Sequence, residues 1–498
     1  MDLSGGVAES LKNKCILITG STGFLGKIFV EKILRVQPDV KRIYLVIRAP
    51  DSSGAARRFH TEVRDKELFC VLRKIHGKGF EAFMEDKVLA VAGNIMENNL
   101  GIKDMNLLDT MVANVNIVVN AAATTNFIER YDVALGTNVL GPKYSMKFAK
   151  KCSNLELFMH VSTAYVAGSK EGMLLETKFE MGETLNDGNS NASYLDIDAE
   201  LNLMKDTMQY LHSNSESKSE IKSMMQSLGM ERAKRYGWPN TYVFTKAMGE
   251  MVLGDMRGDM PLVIIRPTII TSVYKDPLPG WMEGIRTIDS AIVSYSMGTL
   301  ECFLVDVDIA MDIIPGDMVS NAMITSIAAH SNNPSQTIYH LSSSVRNPVN
   351  YSVLLDSCFR FFNAYPRHTK DGTIIKVKKI YKLDTMAKFR TYMRLKYKIP
   401  LEGLGIVNMI FCQFFADKYK ELSKKYKYVM QLAELYEPFT FFKGVFDDMN
   451  VEKLRLGLNA NNNISEAEML GFDCKHMDWS RYMLDVHIPG LLKYVCKN

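Results

Sequence analysis

The chain has 498 residues, of which 47% are hydrophobic and 23% charged; it can bury one large core plus a second, and it is too apolar for a mostly disordered polypeptide. Sixty Lys and Arg against 56 Asp and Glu leave a net charge of +4, which argues against a globally basic nucleic-acid binder. Eight cysteines without a CxxC pair speak against a zinc ribbon, a redox dithiol or a disulfide scaffold, and for a reducing compartment.

The N-terminal residues show neither the apolar core of a signal peptide nor an Arg/Ser-rich transit segment, so no leader is expected. Short β-rich runs then alternate with helical stretches: Cys15–Thr19, Arg42–Ile47, Val88–Ala92, Ile117–Ala121, Leu157–Val161 and Leu262–Arg266. These runs are continuously apolar, as in strands buried on both faces. Such alternation predicts an α/β domain with a doubly wound parallel sheet, and Thr337–Leu341 offers a further edge strand. Near residue 355 the chain becomes rich in Phe, Tyr, Lys and Met. The expected boundary lies there, between a domain over 1–355 and a smaller, mainly helical domain over 356–498. Helices are predicted over Thr385–Lys398 and Asn408–Leu432, and the uncharged stretch Gly403–Ala416 is read first as a buried helix and second as an interfacial segment.

After the first strand comes Thr19-Gly20-Ser21-Thr22-Gly23-Phe24-Leu25-Gly26, a GxxGxxG loop opening a helix. Gly20 permits the turn, Gly23 lets backbone approach a pyrophosphate, and Gly26 lets helix and strand pack closely. The second strand ends in Arg48 rather than an acid; a guanidinium there suits a ribose 2′-phosphate, so NADPH is expected over NADH. Tyr242-Val243-Phe244-Thr245-Lys246 is a YxxxK pattern, in which i and i+4 share a helix face and a lysine ammonium would lower the phenol pKa. Tyr392 to Lys396 matches the pattern equally well, but only Tyr242 follows a dinucleotide loop. Ser162-Thr163 ends the fifth strand, where ligands bind in such sheets, so the hydroxyl of Thr163 or Ser162 could orient a carbonyl. No HExxH, G-x-S-x-G or P-loop motif occurs, and the nine histidines show no metal-ligand spacing; no metal is expected.

Several longer stretches carry a more specific likeness: FVEKILRVQP (29–38), NAAATTNFIERY (120–131), HVSTAYVA (160–167), GWPNTYVFTKAMGE (237–250), LVIIRPTIITS (262–272) and the tail Phe472–Val495. With the glycine loop, Thr163, Tyr242 and Lys246, the chain resembles plant alcohol-forming fatty acyl-CoA reductases of the male-sterility type, within the extended short-chain dehydrogenase/reductase superfamily. The resemblance implies a Rossmann sheet. It also implies reduction of a long-chain acyl-CoA by two NADPH to a primary alcohol, through a bound aldehyde. Gly20, Gly23 and Gly26, with Thr19, Thr22, Phe24 and Leu25 around them, would cradle the pyrophosphate. Arg48 would read the 2′-phosphate, and Ala121, Ala122 and Ala123 would line the nicotinamide ribose. Thr163 would position the carbonyl, Tyr242 would donate the proton, Lys246 would hold ribose hydroxyls, and Arg266-Pro267 would close the nicotinamide end. Two features depart from the superfamily pattern. Gly93-Asn94-Ile95 stands where an Asp usually meets the adenine, and the insertion 176–237 is long, making it a candidate cover for the acyl chain or coenzyme A. An aldehyde-releasing two-electron reductase and a catalytically silent NADP-binding regulatory protein are the competing readings.

The net charge is unevenly spread. Between Arg367 and Lys398 eleven Lys and Arg face two acids, interleaved with Phe389, Tyr392, Met393, Leu395 and Tyr397. This strip leads into 403–416; a surface for anionic lipid headgroups, through membrane association over 367–416, or for coenzyme A phosphates is the expectation alongside a solvated helical face. The expected location is the cytoplasm, with the surface of the endoplasmic reticulum membrane as the alternative.

Overall fold

A computed structural model describes residues 3, 5–186, 194–369, 371–460 and 464–496. Seven parallel strands form the central sheet: β1 (Cys15–Thr19), β2 (Arg42–Ile47), β3 (Val88–Ala92), β4 (Ile117–Asn120), β5 (Leu157–Val161), β6 (Leu262–Pro267) and β7 (Gln336–Leu341). Their order is β7-β6-β5-β4-β1-β2-β3. Chain direction across the sheet reverses between β1 and β4, and the crevice beyond the carboxyl ends of strands at such a switch point is where open α/β sheets bind ligands.

Both faces of the sheet are covered, which explains the unbroken apolar runs. Ile16 and Ile18 of β1 join one hydrophobic cluster while Leu17 joins another, as the two-residue repeat of a strand requires. Helix α1 (Phe24–Val36) packs on the first face against Gly316–His330. On the other side, helix Thr241–Met256 packs on Gly141–Ala149.

Beyond 355 the chain divides. Leu383, Met386, Phe389 and Met393 enclose a small cluster of their own with Cys302 and Leu304. By contrast, Leu454, Leu470, Phe472, Trp479, Tyr482, Ile488 and Leu491 belong to the same core as α1 and the sheet. Tyr482 Oη donates to Thr271 Oγ1 at 2.8 Å, and His487 Nε2 meets Asp289 at 3.0 Å. The end of the chain is therefore built into the first domain's core.

Two helical expectations need correction. The helix expected over Asn408–Leu432 is broken: one helix ends at Ile410, a turn follows, and the next spans Ala416–Thr440. Nor is Gly403–Ala416 a buried helix. Ile406, Met409, Ile410, Phe411 and Phe414 are all more than half exposed.

Candidate active site

At the end of β1, Gly20 has φ +76°, and a Cβ there would lie 2.5 Å from the Ala122 nitrogen; only glycine fits both the backbone and the close approach. A Cβ on Gly26 would collide with the Gly20 carbonyl, so this glycine lets α1 sit against the loop. Gly23 is the exposed N-cap of α1 and supplies no side-chain cap. The first-turn N–H groups and the positive end of the helix dipole are thus left for an anion. Thr22 and Leu25 lie half-buried beside it. Phe24 is buried, stacked on Trp281 at 5.5 Å and under the Arg286 guanidinium, so its side chain serves the core.

Around this loop the other cofactor candidates fall in distinct places. Ala121 and Ala122 are half-buried and Ala123 exposed, directly after β4. Arg48 is exposed at the end of β2, where its carbonyl accepts from Arg58 Nη1 at 2.8 Å. The Asn94 side chain closes its own turn, donating to Glu97 Oε1 (2.6 Å) and accepting from the Met96 nitrogen (3.2 Å); Ile95 packs beside Gly141. Arg266 is buried, and its guanidinium is taken up by Glu250 (2.6 and 3.1 Å) and His340 Nε2 (3.2 Å). Its neighbour Pro267 offers its carbonyl to Thr163 Oγ1 at 3.4 Å.

The three catalytic candidates do come together. Asn240 caps the helix by accepting from the Val243 nitrogen at 3.1 Å, which starts the helical register that puts Tyr242 and Lys246 on one face. Burial pushes the Tyr242 phenol up to about 12, outweighing the neighbouring Thr163 hydroxyl, which pulls it down. The expected lowering of Tyr242 by Lys246 is not found, because the ammonium points elsewhere. Lys246 is fully buried, and its Nζ donates to the Val161 carbonyl at 2.7 Å and meets His160 Nε2 at 3.2 Å. Burial lowers it to about 8, against the raising charge of Glu250. In the second YxxxK pair Lys396 is exposed and donates to Glu301 and to the hydroxyl of the half-buried Tyr392, far along the chain from the glycine loop.

Sequence reasoning missed two groups here. The first is a buried polar chain behind Lys246. The Ala122 nitrogen donates to Thr19 Oγ1 (3.2 Å), Thr19 Oγ1 to Asn120 Oδ1 (2.8 Å), and Asn120 Nδ2 meets His160 Nδ1 (3.0 Å). His160 is held neutral by burial and by the neighbouring Lys246 charge. The second is an aromatic wall. Phe127 stacks on Tyr242 at 5.9 Å and contacts Tyr436 and Phe439, while Tyr165 meets Phe439, Phe442 and Phe446. Asn120 ends β4 and His160 is the last but one residue of β5, a usable signal; nothing in the sequence pairs Phe127 with residues three hundred positions on.

The insertion 176–237 (187–193 lie outside the described residues) forms two helices, Ile197–Ser213 and Lys218–Arg235. They pack behind the Tyr242 helix: Glu200 binds Arg232 and accepts from Tyr131 Oη (2.7 Å) and Tyr236 Oη (3.0 Å). Gln226 Nε2 donates to the Ile128 carbonyl at 2.7 Å, steadying the loop that carries Phe127.

The parallel sheet, the uncapped glycine loop at its switch point and the Thr–Tyr–Lys cluster define a Rossmann-type reductase with a nicotinamide cofactor. Residues 18–323 match the NAD-binding family described as male sterility protein, and residues 396–498 match a second family of the same description. The chain belongs to this male-sterility family. It is 48% identical over 493 residues to fatty acyl-CoA reductase 1 of Arabidopsis thaliana, covering 98% of this chain and 99% of that one. It is 46% identical over 497 residues to the alcohol-forming fatty acyl-CoA reductase of Simmondsia chinensis, covering 99% and 100%. Among solved structures, the terminal R domain of the myxalamid PKS-NRPS pathway shares the fold, with a TM-score of 0.57 at 16% identity over 97% of this chain and 91% of that one.

Proposed function

We propose that the protein reduces long-chain fatty acyl-CoA to the primary alcohol in two hydride steps, with the aldehyde kept bound between them. The observation that carries this reading is the Thr163–Tyr242–Lys246 cluster beside an uncapped glycine loop, in a chain matched end to end by acyl-CoA reductases. The nicotinamide cofactor, when bound, supplies the hydride. Gly20, Gly23 and the first turn of α1 would hold its pyrophosphate, Ala121 to Ala123 its ribose side, and Arg48 the 2′-phosphate that favours NADPH.

The chain's own residues handle the oxygen and the proton. A carbonyl oxygen set against the hydroxyls of Thr163 and Tyr242 receives two donors as charge develops on it. A phenol kept neutral up to about pH 12 still carries its proton when the alkoxide forms, and passes it on without ionising beforehand. Lys246 supplies a buried positive charge on the same helix face. In the first reduction the oxygen is stabilised until the C–S bond breaks and coenzyme A leaves as its thiolate, which takes a proton from water; in the second, Tyr242 Oη gives up its proton to make the alcohol. The aromatic wall of Phe127, Tyr436 and Phe439 lies against Tyr242, an apolar surface suited to the first methylenes of an acyl chain and to excluding water.

Beyond its substrate, the protein is proposed to meet a membrane surface through 367–416, at the cytoplasmic face of the endoplasmic reticulum. Among the described residues no helix is long and apolar enough to cross a bilayer. Purified protein, NADPH and a panel of acyl-CoAs test the reaction. Tyr242→Phe and Lys246→Ala are each expected to abolish alcohol formation, and near-normal turnover in both would contradict the assignment.

A further inference from the structure

Among the described residues, four of the eleven cations of the basic strip expected at the membrane are paired with acids in the fold. Lys388 pairs with Asp384, Arg390 with Glu434, Lys396 with Glu301 and Lys398 with Glu402, while Phe389 and Met393 are buried; Lys370 lies outside the described residues. The apolar residues just beyond the strip are in the opposite situation. Helix α2 (Ile399–Ile410) and helix α3 (Ala416–Thr440) form a hairpin. Its tip carries Met409, Ile410, Phe411 and Phe414 at 69, 70, 60 and 81% exposure.

The tip is a built structure. Cys412 and Gln413 take positive φ (49° and 67°) to reverse the chain. Asn408 is buried and fastens the turn twice, its Oδ1 accepting from the Phe415 nitrogen (2.8 Å) and its carbonyl from the Gln413 nitrogen (2.7 Å). Where the helices approach, Gly405 faces the Tyr419 ring, which a Cβ would meet at 3.1 Å. Phe414 and Phe411 both pack edge-on to Phe415. The fold thus spends a buried Asn and a close helix contact on holding large apolar side chains in water, a cost that a docked state recovers.

Charge identifies the occupant. From Arg394 to Lys427 eight Lys and Arg stand against three acids; Lys396 and Lys398 are paired as above and Lys418 and Lys425 share Glu421, while Lys420, Lys424 and Lys427 of α3 stand exposed. A second copy of the chain would bring the same positive charge to the same convex tip. An apolar tip ringed by cations matches a bilayer with anionic headgroups, whose interface accepts the rings while the lysines stay at headgroup level.

We infer that the 405–415 tip anchors the protein in one leaflet of an anionic bilayer by burying Met409, Ile410, Phe411 and Phe414. This rests on the membrane reading above and specifies its device: insertion of the hairpin tip rather than adsorption of the strip at 367–398. Helix α3 then runs from the leaflet to Tyr436, which touches the wall over Tyr242; at 1.5 Å per residue that is about 30 Å.

Flotation with phosphatidylcholine vesicles, with and without 30 mol% phosphatidylserine (about a third anionic lipid, enough to set up an attractive surface potential), tests this. Wild-type protein is expected to float with the anionic vesicles. The combined variant Ile410→Ser, Phe411→Ser, Phe414→Ser alters only exposed side chains and is expected to float at least tenfold less, with turnover of soluble short-chain acyl-CoA unchanged. Lys376→Glu, Lys378→Glu, Lys379→Glu is expected to float nearly as wild type. If wild type fails to float, the membrane reading itself falls. If wild type floats and the tip variant floats equally well, only the tip assignment falls. Light scattering showing a wild-type dimer that the tip variant turns into a monomer would overturn it in favour of a second copy.

Discussion

Lys246 sets the pH behaviour of the site. Burial lowers it from 10.5 to about 8, so turnover is expected to fall as pH rises through about 8 and the ammonium is lost. Stability moves the other way at this residue. Between about 8 and 10.5 the unfolded chain still holds the proton that the folded chain has released, so the contribution of Lys246 to stability rises with pH there. Loss of rate without a lower Tm across that window is the expected pattern; a parallel fall in both would contradict it. His160, fixed by Asn120 and touching Lys246 but not placed to touch substrate, acts as a positioning residue. His160→Phe is expected to lower kcat at least tenfold and move the alkaline limb, with KM for acyl-CoA nearly unchanged and with His160→Gln recovering part of the loss. An unmoved pH profile would leave the ring a purely structural role. Arg48→Asp is expected to remove the preference for NADPH over NADH, measured by titrating both; an unchanged preference would sink the 2′-phosphate assignment. At this scale the sequence was legible wherever a residue ends a strand or opens a helix: Gly20, Thr163, Tyr242. It was opaque where a side chain turns inward. Arg266 sits beside a site residue in sequence, yet its guanidinium belongs to Glu250.

At the scale of elements, all seven strands fall within a residue or so of the apolar runs, because strands covered on both faces must be apolar throughout. The hairpin was less legible. Helical periodicity continues through 411–415, and what breaks it is a local hydrogen-bond device centred on Asn408, which periodicity does not register. Burial of 403–416 was misread for a related reason: an apolar stretch resembles a core helix whether or not another element covers it. The glycine loop makes the sharpest prediction here. Gly26→Ala forces Cβ into the Gly20 carbonyl, and overpacking against backbone costs about 1–3 kcal/mol. Lower Tm and weakened NADPH binding are expected together, whereas wild-type values for both would show that the loop can relax away.

For the whole molecule, the informative result is how the chain closes. Leu454, Leu470, Phe472, Trp479, Tyr482, Ile488 and Leu491 return to the core of α1 and the sheet, while 385–441 carry the hairpin and the Tyr436 and Phe439 side of the wall over Tyr242. Truncation after Phe441 is therefore expected to yield aggregated protein, because Trp479, Tyr482, Ile488 and Leu491 leave the core together; a soluble, cofactor-binding truncation would contradict this. Composition alone could show a change of character near 355, but not that 449–460 and 464–496 fold back across it, since long-range packing leaves no periodic trace. The most direct test of the reaction itself is its stoichiometry. With purified protein and a long-chain acyl-CoA, two NADPH are expected to be oxidised for each coenzyme A thiol released, with primary alcohol as the product by gas chromatography. One NADPH per thiol, with free aldehyde accumulating, would contradict the two-step reduction.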